Sequence, residues 1–197
     1  MEREGAIQDG PFVGSTHYVL NKSNTKTLEV GISPVDLLPS VRIVSARNAV
    51  AFGLVEWNEF LQHRNPIMDY FENQTAADTV YKFTNYNIHL EEYKKVKVLR
   101  IIGPYSEIFL GYETTKNLFQ ITHIVDCKLE YLMRQDFQCF YTSVLNKVKK
   151  LRSQEIEKEI ELYLNLSPLN ANKICMLEMI LLNKNKIVYD LEMCNKY

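Results

Sequence analysis

Cationic side chains and aromatic rings are interleaved along the segments of this sequence that have the pattern of β-strands. Cations bind phosphate groups and rings stack on unpaired bases, so a sheet face that carries both can hold single-stranded nucleic acid. Because alternate strand residues point to the same face, one face can pack on helices while the other carries these groups. The candidate nucleic-acid contacts are Lys22, Lys26, Arg42, Arg47, Tyr81, Lys82, Phe83, Tyr86, Lys95, Lys97 and Arg100.

An ordinary antiparallel sheet is the alternative interpretation of the same residues. The solvent face of such a sheet commonly carries lysine, arginine and tyrosine without any ligand. The net charge of −1 and the isoelectric point of about 6.4 argue against a basic protein that clamps duplex DNA through many phosphates. A local basic face is compatible with this charge balance.

The usual patterns of catalytic and metal sites are absent from the sequence. It contains no G-x-S-x-G, G-x-x-x-x-G-K or G-x-G-x-x-G motif and no CxxC, HxxxH or HExxH spacing. His123, Asp126 and Cys127 fall within one helical turn, but the spacing places Ile124 and Val125 in the core and His123 at its boundary. We therefore expect no enzyme activity, no catalytic residues, no metal and no cofactor.

Cysteine placement and hydropathy indicate the cellular compartment. The four cysteines are scattered among apolar neighbours, as is typical of buried free thiols in a reducing compartment. No signal-peptide core follows the polar segment 1–5, and the most apolar run, 174–182, is too short to span a bilayer. We expect a soluble intracellular protein of the nucleus or cytoplasm with no membrane partner.

Hydrophobic periodicity predicts four strands and a helix, followed by the same series again. Alternation of apolar residues predicts strands near 18–20, 28–32, 41–44 and 49–52, and an amphipathic helix from about Leu54 with a local break at Pro66. The second series has strands near 80–83, 88–90, 96–102 and 107–110 and a helix over 113–132. The sequence predicts an α+β fold with two units of the same kind.

The two units can be aligned on each other without gaps over residues 41–62 and 99–120. An offset of 58 places Arg42 on Arg100, Gly53 on Gly111 and Gln62 on Gln120. Such an internal repeat is a strong constraint on the fold. The predicted organisation is a flexible arm over 1–15, a first unit over 16–74, a second unit over 78–133 and a helical region over 134–197.

Residues 48–61, which read NAVAFGLVEWNEFL, resemble the last strand and helix of the transcriptional positive cofactor four domain. That family, grouped here with the Whirly-like superfamily, has a short G-I-x-L strand that runs into a helix with a pattern similar to E-Q-W-x-x-L. Val50, Phe52, Glu56, Trp57 and Phe60 or Leu61 occupy the corresponding places. Residues 107–118 resemble the same element without the tryptophan. In the first unit, Ala49 stands where the family has glycine, and the family's basic stretch before the G-I-x-L strand is reduced to Arg42 and Arg47.

The resemblance implies a pseudo-dimer, because the family's four-stranded domain dimerises and holds single-stranded DNA across two curved sheets. It implies single-stranded DNA or RNA as the ligand, in transcription or replication. The rival hypothesis is a protein-interaction or oligomerisation module that works through 134–197, where apolar residues recur at helical spacing from Leu145 to Leu164 and again over 174–182.

Overall fold

The computed structural model describes residues 10–73, 79–149, 156–166 and 169–194. The fold is α+β, as the sequence predicts: two four-stranded antiparallel sheets, each followed by helices, precede a helical C-terminal region. The strands are β1 (Val13–Val19), β2 (Lys26–Ile32), β3 (Pro39–Ser45), β4 (Ala49–Phe52), β5 (Thr79–Lys82), β6 (Asn87–Tyr93), β7 (Val96–Ile102) and β8 (Glu107–Leu110). The helices are α1 (Leu54–Gln62), α2 (Arg64–Glu72), α3 (Tyr112–Gln120), α4 (Thr122–Gln135), α5 (Phe137–Lys149), α6 (Ile156–Asn165), α7 (Ala171–Leu182) and α8 (Lys184–Cys194).

Each sheet is a simple meander, with strand orders β1-β2-β3-β4 and β5-β6-β7-β8. Alternation along the strands separates an inner face from an outer face. In β7, Leu99 and Ile101 are completely buried, whereas Arg100 between them is partly exposed. The inner face of each sheet therefore supplies apolar side chains for a core.

The repeat predicted from the sequence is confirmed in the strand register. Val41 pairs with Phe52 and Ile43 with Val50 in the first sheet. Raising all four numbers by 58 gives the pairs of the second sheet, Leu99 with Leu110 and Ile101 with Ile108. Helices α1 and α3, which follow these strands, keep the same offset at both of their ends.

Strands β4 and β8 meet through a reciprocal contact. The side-chain amide of Asn48 donates to the carbonyl oxygen of Glu107 at 2.9 Å. The hydroxyl of Ser106, the counterpart of Asn48, donates to the carbonyl oxygen of Ala49, the counterpart of Glu107. An interface in which each contact is repeated with the roles exchanged is what a two-fold axis produces between two identical subunits. The two repeats therefore form the expected pseudo-dimer.

Each helix also contacts the first hairpin of the other repeat, through a hydrogen bond of its own kind. Helix α1 accepts a hydrogen bond at the carbonyl of Glu56 from the hydroxyl of Tyr86, next to the first hairpin of the second repeat, at 3.2 Å. Helix α3 donates from Asn117 to the carbonyl of Leu20, in the first hairpin of the first repeat, at 2.9 Å. The rings of Phe60 and Phe119 stack between the helices, with centroids 5.6 Å apart.

Three predicted boundaries are corrected. Strand β1 begins at Val13, and Phe12 and Val13 are buried, so the predicted arm is wrong from Phe12 onward; residues 1–9 lie outside the described residues. The first helix breaks at His63 rather than at Pro66, because proline is tolerated in the first turn of α2, where an amide has no helical partner. The helix predicted over 113–132 is likewise divided, between α3 and α4.

The described residues divide into two compact units. One contains residues 16–30 and 40–128, and the other, called here the C-terminal unit, contains residues 10–15, 31–39 and the described residues from Leu129 onward. Within it, the amide of Gly14 donates to the carboxylate of Glu178 at 2.5 Å. Gly14 has φ +60°, and a β-carbon there would lie 2.6 Å from the sulfur of Cys175. Residues 187–189, whose apolar run is compatible with a short strand or a helix end, lie within helix α8. The sequence also predicts a helix break at Ser167–Pro168, which lies outside the described residues.

The structure bears on two of the expectations about the cellular compartment, namely the absence of a membrane span and the burial of the cysteines. Among the helices described, none combines the length with the apolar character needed to cross a membrane. Cys175 is buried, as expected, but Cys127 and Cys139 are exposed. Cys127 lies between Asp126 and Lys128 in the sequence and Cys139 follows Gln138, so both thiols have polar neighbours on these amphipathic helices.

The reciprocal packing predicts energetic coupling between the repeats. Phe60→Leu and Phe119→Leu should destabilise the protein by less together than the sum of the single effects, with a coupling free energy of about 0.5–1.5 kcal/mol from the missing ring pair. Urea denaturation followed by circular dichroism measures both effects. Phe60→Leu combined with Tyr105→Leu is the matched control, since Tyr105 is 84% exposed. Additive effects at Phe60 and Phe119 would contradict the coupling.

Candidate nucleic-acid interface

Arg42 and Arg100 occupy equivalent positions on the outer faces of the two sheets, and both are held by glutamates. Arg42 donates to Glu29 through Nε at 2.8 Å and through Nη2 at 2.5 Å. Arg100 donates through Nε to Glu107 at 2.9 Å and lies 3.6 Å from Glu91. Each guanidinium thus has a carboxylate partner in its own sheet. A role of these arginines in binding phosphate remains a prediction, and phosphate would have to compete with those carboxylates.

The two arginine sites differ in burial. The side chains of Arg42 and Glu29 are 13% and 4% exposed, whereas those of Arg100 and Glu107 are 30% and 37% exposed. His17 lies 3.7 Å from the other oxygen of Glu29. The hydrogen bond that Arg100 donates to Glu107 raises the pKa of Arg100. The Arg42–Glu29 pair is therefore largely buried, although His17 beside it is 58% exposed, whereas Arg100 and Glu107 are accessible to a ligand.

The three predicted stacking rings lie together, but not on the outer face. Tyr81 pairs across the sheet with the buried Ile88, which places it on the inner face. Tyr86 is 3% exposed and stacks on Phe83, with centroids 4.3 Å apart. Tyr81 and Phe83 both contact the ring of His63. The expectation of an exposed stacking surface is wrong for Tyr86, whose pKa is raised by burial and by Glu59 and Glu56.

Lys97 lies on the inner, helix-covered side of the second sheet. Its ammonium donates to the carbonyl oxygens of Tyr70 and Asn73 at 2.5 Å each. These carbonyls are at the C-terminal end of α2, where a cation is favoured by the helix dipole. Lys97 therefore caps the C-terminal end of α2. Lys26 is half-buried, and desolvation lowers its pKa.

The remaining predicted cations are exposed. Lys22 and Arg47 lie in the β1–β2 and β3–β4 turns, which are at the same end of the first sheet. Lys82 ends β5, and Lys95 lies in the β6–β7 turn. The structure does not bring all eleven predicted residues into one site.

A ring cluster that the site prediction missed lies on the outer face of the second sheet. The rings of Tyr93 and Phe109 have centroids 5.8 Å apart. The guanidinium of Arg100 lies over Phe109 at 5.3 Å, and the ammonium of Lys94 lies over Tyr93, also at 5.3 Å. Tyr93 is 52% exposed. The signal was present in the alternation of β8, where burial of Ile108 and Leu110 directs Phe109 outward.

The turn beside this cluster has an unfavourable backbone. Tyr93 pairs with Val96, so Lys94 and Lys95 form a two-residue hairpin loop. Their φ angles are +51° and +65°, in the left-handed region that two-residue hairpins require and that asparagine and glycine adopt most readily. Left-handed backbone costs a residue with a longer side chain roughly 1–2 kcal/mol. Backbone strain of this kind is concentrated at functional sites.

Metal and thiol chemistry have little support in the described part of the chain. No group of three or more His, Cys, Asp and Glu side chains in the ranges described could hold a metal ion. His123 and Cys127 lie on the exposed side of α4, with their nitrogen and sulfur 4.0 Å apart. The expectation that the protein is not an enzyme remains a prediction.

Comparison with known proteins adds no family to this description. No protein-family model, curated protein or solved structure matches the chain. The resemblance to the positive cofactor four domain therefore rests on the residues that carry it.

The unequal burial of the two arginine sites predicts unequal effects of removing each arginine. Arg42→Ala should destabilise the fold by about 3–5 kcal/mol, because it leaves the carboxylate of Glu29 buried and uncompensated. Arg100→Ala should cost about 1 kcal/mol or less, since its ion pairs are accessible to water. Thermal and urea denaturation measure the difference. Equal losses would show that the enclosure of Glu29 has no energetic consequence.

Proposed function

We propose that the protein binds single-stranded nucleic acid on the outer face of its second sheet, within the nucleus or cytoplasm. The observation that carries the proposal is the strained Lys94–Lys95 turn beside the exposed ring of Tyr93. The two lysines supply charge for phosphates, and Tyr93 with Phe109 supplies the surface on which bases stack.

The strain in the turn supports a role for both lysines. Asparagine and glycine fit a two-residue hairpin with less strain, and nothing in the pairing of Tyr93 with Val96 requires lysine. The ammonium of Lys94 lies over the ring of Tyr93. One edge of the ring cluster therefore carries two adjacent positive charges, which suits a backbone phosphate next to a stacked base.

The ring cluster favours unpaired bases over a duplex. Stacking requires access to the face of a base, and a paired base in a duplex has both faces covered by its neighbours. Arg100 lies over Phe109 and shares the same surface, so its guanidinium can contribute to the layer of rings. The acidic partners Glu91 and Glu107 limit the net positive charge there. Affinity should therefore depend on stacking as well as on charge.

The two repeats are not equivalent for this function. Ala51 occupies in the first sheet the position that Phe109 has in the second, because both pair across from the outward arginine. The pair of Arg42 and Glu29 in the first repeat is also largely buried, with the exposed His17 at its edge. The geometry thus supports one binding face in the pseudo-dimer rather than two.

Replacing the turn should separate stability from binding. Lys94→Asn with Lys95→Gly should raise the free energy of unfolding by about 1–2 kcal/mol, because the new residues accept the left-handed backbone. The same change should weaken binding of a fluorescent single-stranded oligonucleotide. It should also reduce the slope of log affinity against log salt by about 1.4, since each phosphate that a lysine neutralises contributes about 0.7 to that slope. Thermal denaturation and fluorescence anisotropy measure these effects.

Lys22→Gln with Arg47→Gln provides the matched control, because it removes two exposed cations from the first repeat. This control should leave the affinity close to that of the unaltered protein. An equal fall in affinity in both variants would reject the proposed location in favour of diffuse electrostatic attraction. Absence of binding at low salt by the unaltered protein would reject nucleic-acid binding altogether.

Removing the rings tests stacking directly. Phe109→Ala and Tyr93→Ala should each weaken binding by about 1–3 kcal/mol, the contribution of one stacked base, with little change in salt dependence. Tyr105→Ala is the control, because this highly exposed tyrosine lies in the β7–β8 turn, at the opposite end of the sheet from the lysines. The emission of Trp57, the single tryptophan, confirms that each variant is folded, since Trp57 is buried against Phe52 and Phe60. Unchanged affinity in both ring variants would eliminate the stacking surface.

A further inference from the structure

Helix α7 in the C-terminal unit is apolar on both of its sides. Cys175, Met176 and Met179 are buried on the inner side. On the opposite side, Ile174 is 45%, Leu177 39% and Leu181 80% exposed. A surface helix ordinarily carries polar residues on its outer side, so an apolar outer stripe indicates a surface that another element covers.

The outer residues have the spacing of a coiled-coil seam. Leu177 follows Ile174 by three residues, and Leu181 follows Leu177 by four. This alternation of three and four residues keeps apolar side chains on one line that a second helix can cover. The same unit exposes further leucines, namely Leu162, Leu166, Leu169 and Leu182, the last of them at the end of α7.

The apolar stripe has a positively charged residue along one edge and a negatively charged residue along the other. Lys173 immediately precedes Ile174, and Glu178 immediately follows Leu177. Helical geometry places these two residues on opposite edges of the line through Ile174, Leu177 and Leu181. The helix therefore has one positive edge and one negative edge around its apolar stripe.

This arrangement is complementary to itself in one orientation. When two copies of α7 lie parallel, Lys173 of each faces Glu178 of the other, because residues five apart at these flanking positions meet across a parallel pair. In an antiparallel pair, lysine would face lysine and glutamate would face glutamate. The carboxylate of Glu178 is held by the amide of Gly14, and a carboxylate has room for more than one donor.

We propose that a second copy of this chain covers the outer stripe, giving a homodimer in which the two α7 helices pack in parallel. The self-complementary charges favour a second copy over an unrelated partner. This interface lies in the C-terminal unit and does not depend on the nucleic-acid face proposed for the second sheet.

The mass of the full chain in solution tests the dimer. Light scattering at high micromolar concentration should give twice the chain mass of 23.1 kDa. The variant Ile174→Ser, Leu177→Ser, Leu181→Ser should give the single mass, with unchanged circular dichroism and Trp57 emission. Val55→Ser is the control, because Val55 is 69% exposed on α1, and it should leave the dimer intact. A monomeric unaltered chain, or a triple variant that remains dimeric and folded, overturns the proposal.

Disulfide cross-linking tests the orientation. In a chain with Cys127→Ser, Cys139→Ser and Cys194→Ser, Ile174→Cys alone and Leu181→Cys alone should each form a covalent dimer on mild oxidation, because equivalent residues of a parallel pair face each other within disulfide reach. Leu162→Cys should cross-link more slowly. Cross-links that form only when the Ile174→Cys and Leu181→Cys proteins are mixed would demonstrate an antiparallel pair and overturn the parallel arrangement.

Discussion

The reciprocal contact between β4 and β8 is the constraint on which the strand-rich part of the molecule depends. Asn48 and Ser106 each donate to the backbone of the other repeat, and Phe60 and Phe119 stack behind them. One contact shared by two short strands does not fix an orientation, but a contact repeated by symmetry does. Helices α1 and α3 add to this relation, because each is hydrogen-bonded to the first hairpin of the other repeat.

A symmetric framework makes the differences between the repeats informative. The core positions keep their register and apolar character, as Ile43 and Ile101 show. The outer faces differ, with Ala51 against Phe109 and an enclosed Arg42 against an accessible Arg100. Packing limits the inner residues because a core tolerates little change in volume, whereas a solvent face is free to diverge. The proposed binding face is the outer face that has rings and a strained basic turn.

The sequence was sufficient for the fold and insufficient for the site. Strand alternation and the repeat offset of 58 predicted both sheets and the correspondence between their strands, because a strand with one buried face has apolar residues at alternate positions. The same alternation, applied position by position, would have placed Tyr81 and Lys97 on the inner face and Phe109 on the outer face. No local pattern indicates which residue a charged side chain pairs with. Arg42, for example, is hydrogen-bonded to Glu29, which is thirteen residues away in the sequence. The left-handed backbone of Lys94 and Lys95 is also hidden, since lysine is not a turn signal.

The joining of two repeats in one chain affects how the protein can be synthesised. Leu20 accepts its hydrogen bond from Asn117, 97 residues later in the sequence. While the ribosome makes the intervening segment, the first repeat lacks the ring of Phe119, on which Phe60 stacks. Nascent chains with uncovered apolar surface are prone to bind each other or chaperones. The contacts of the first repeat with α3 therefore form only after α3 has been synthesised, and the hydrogen bond of Gly14 in β1 to Glu178 requires α7 as well.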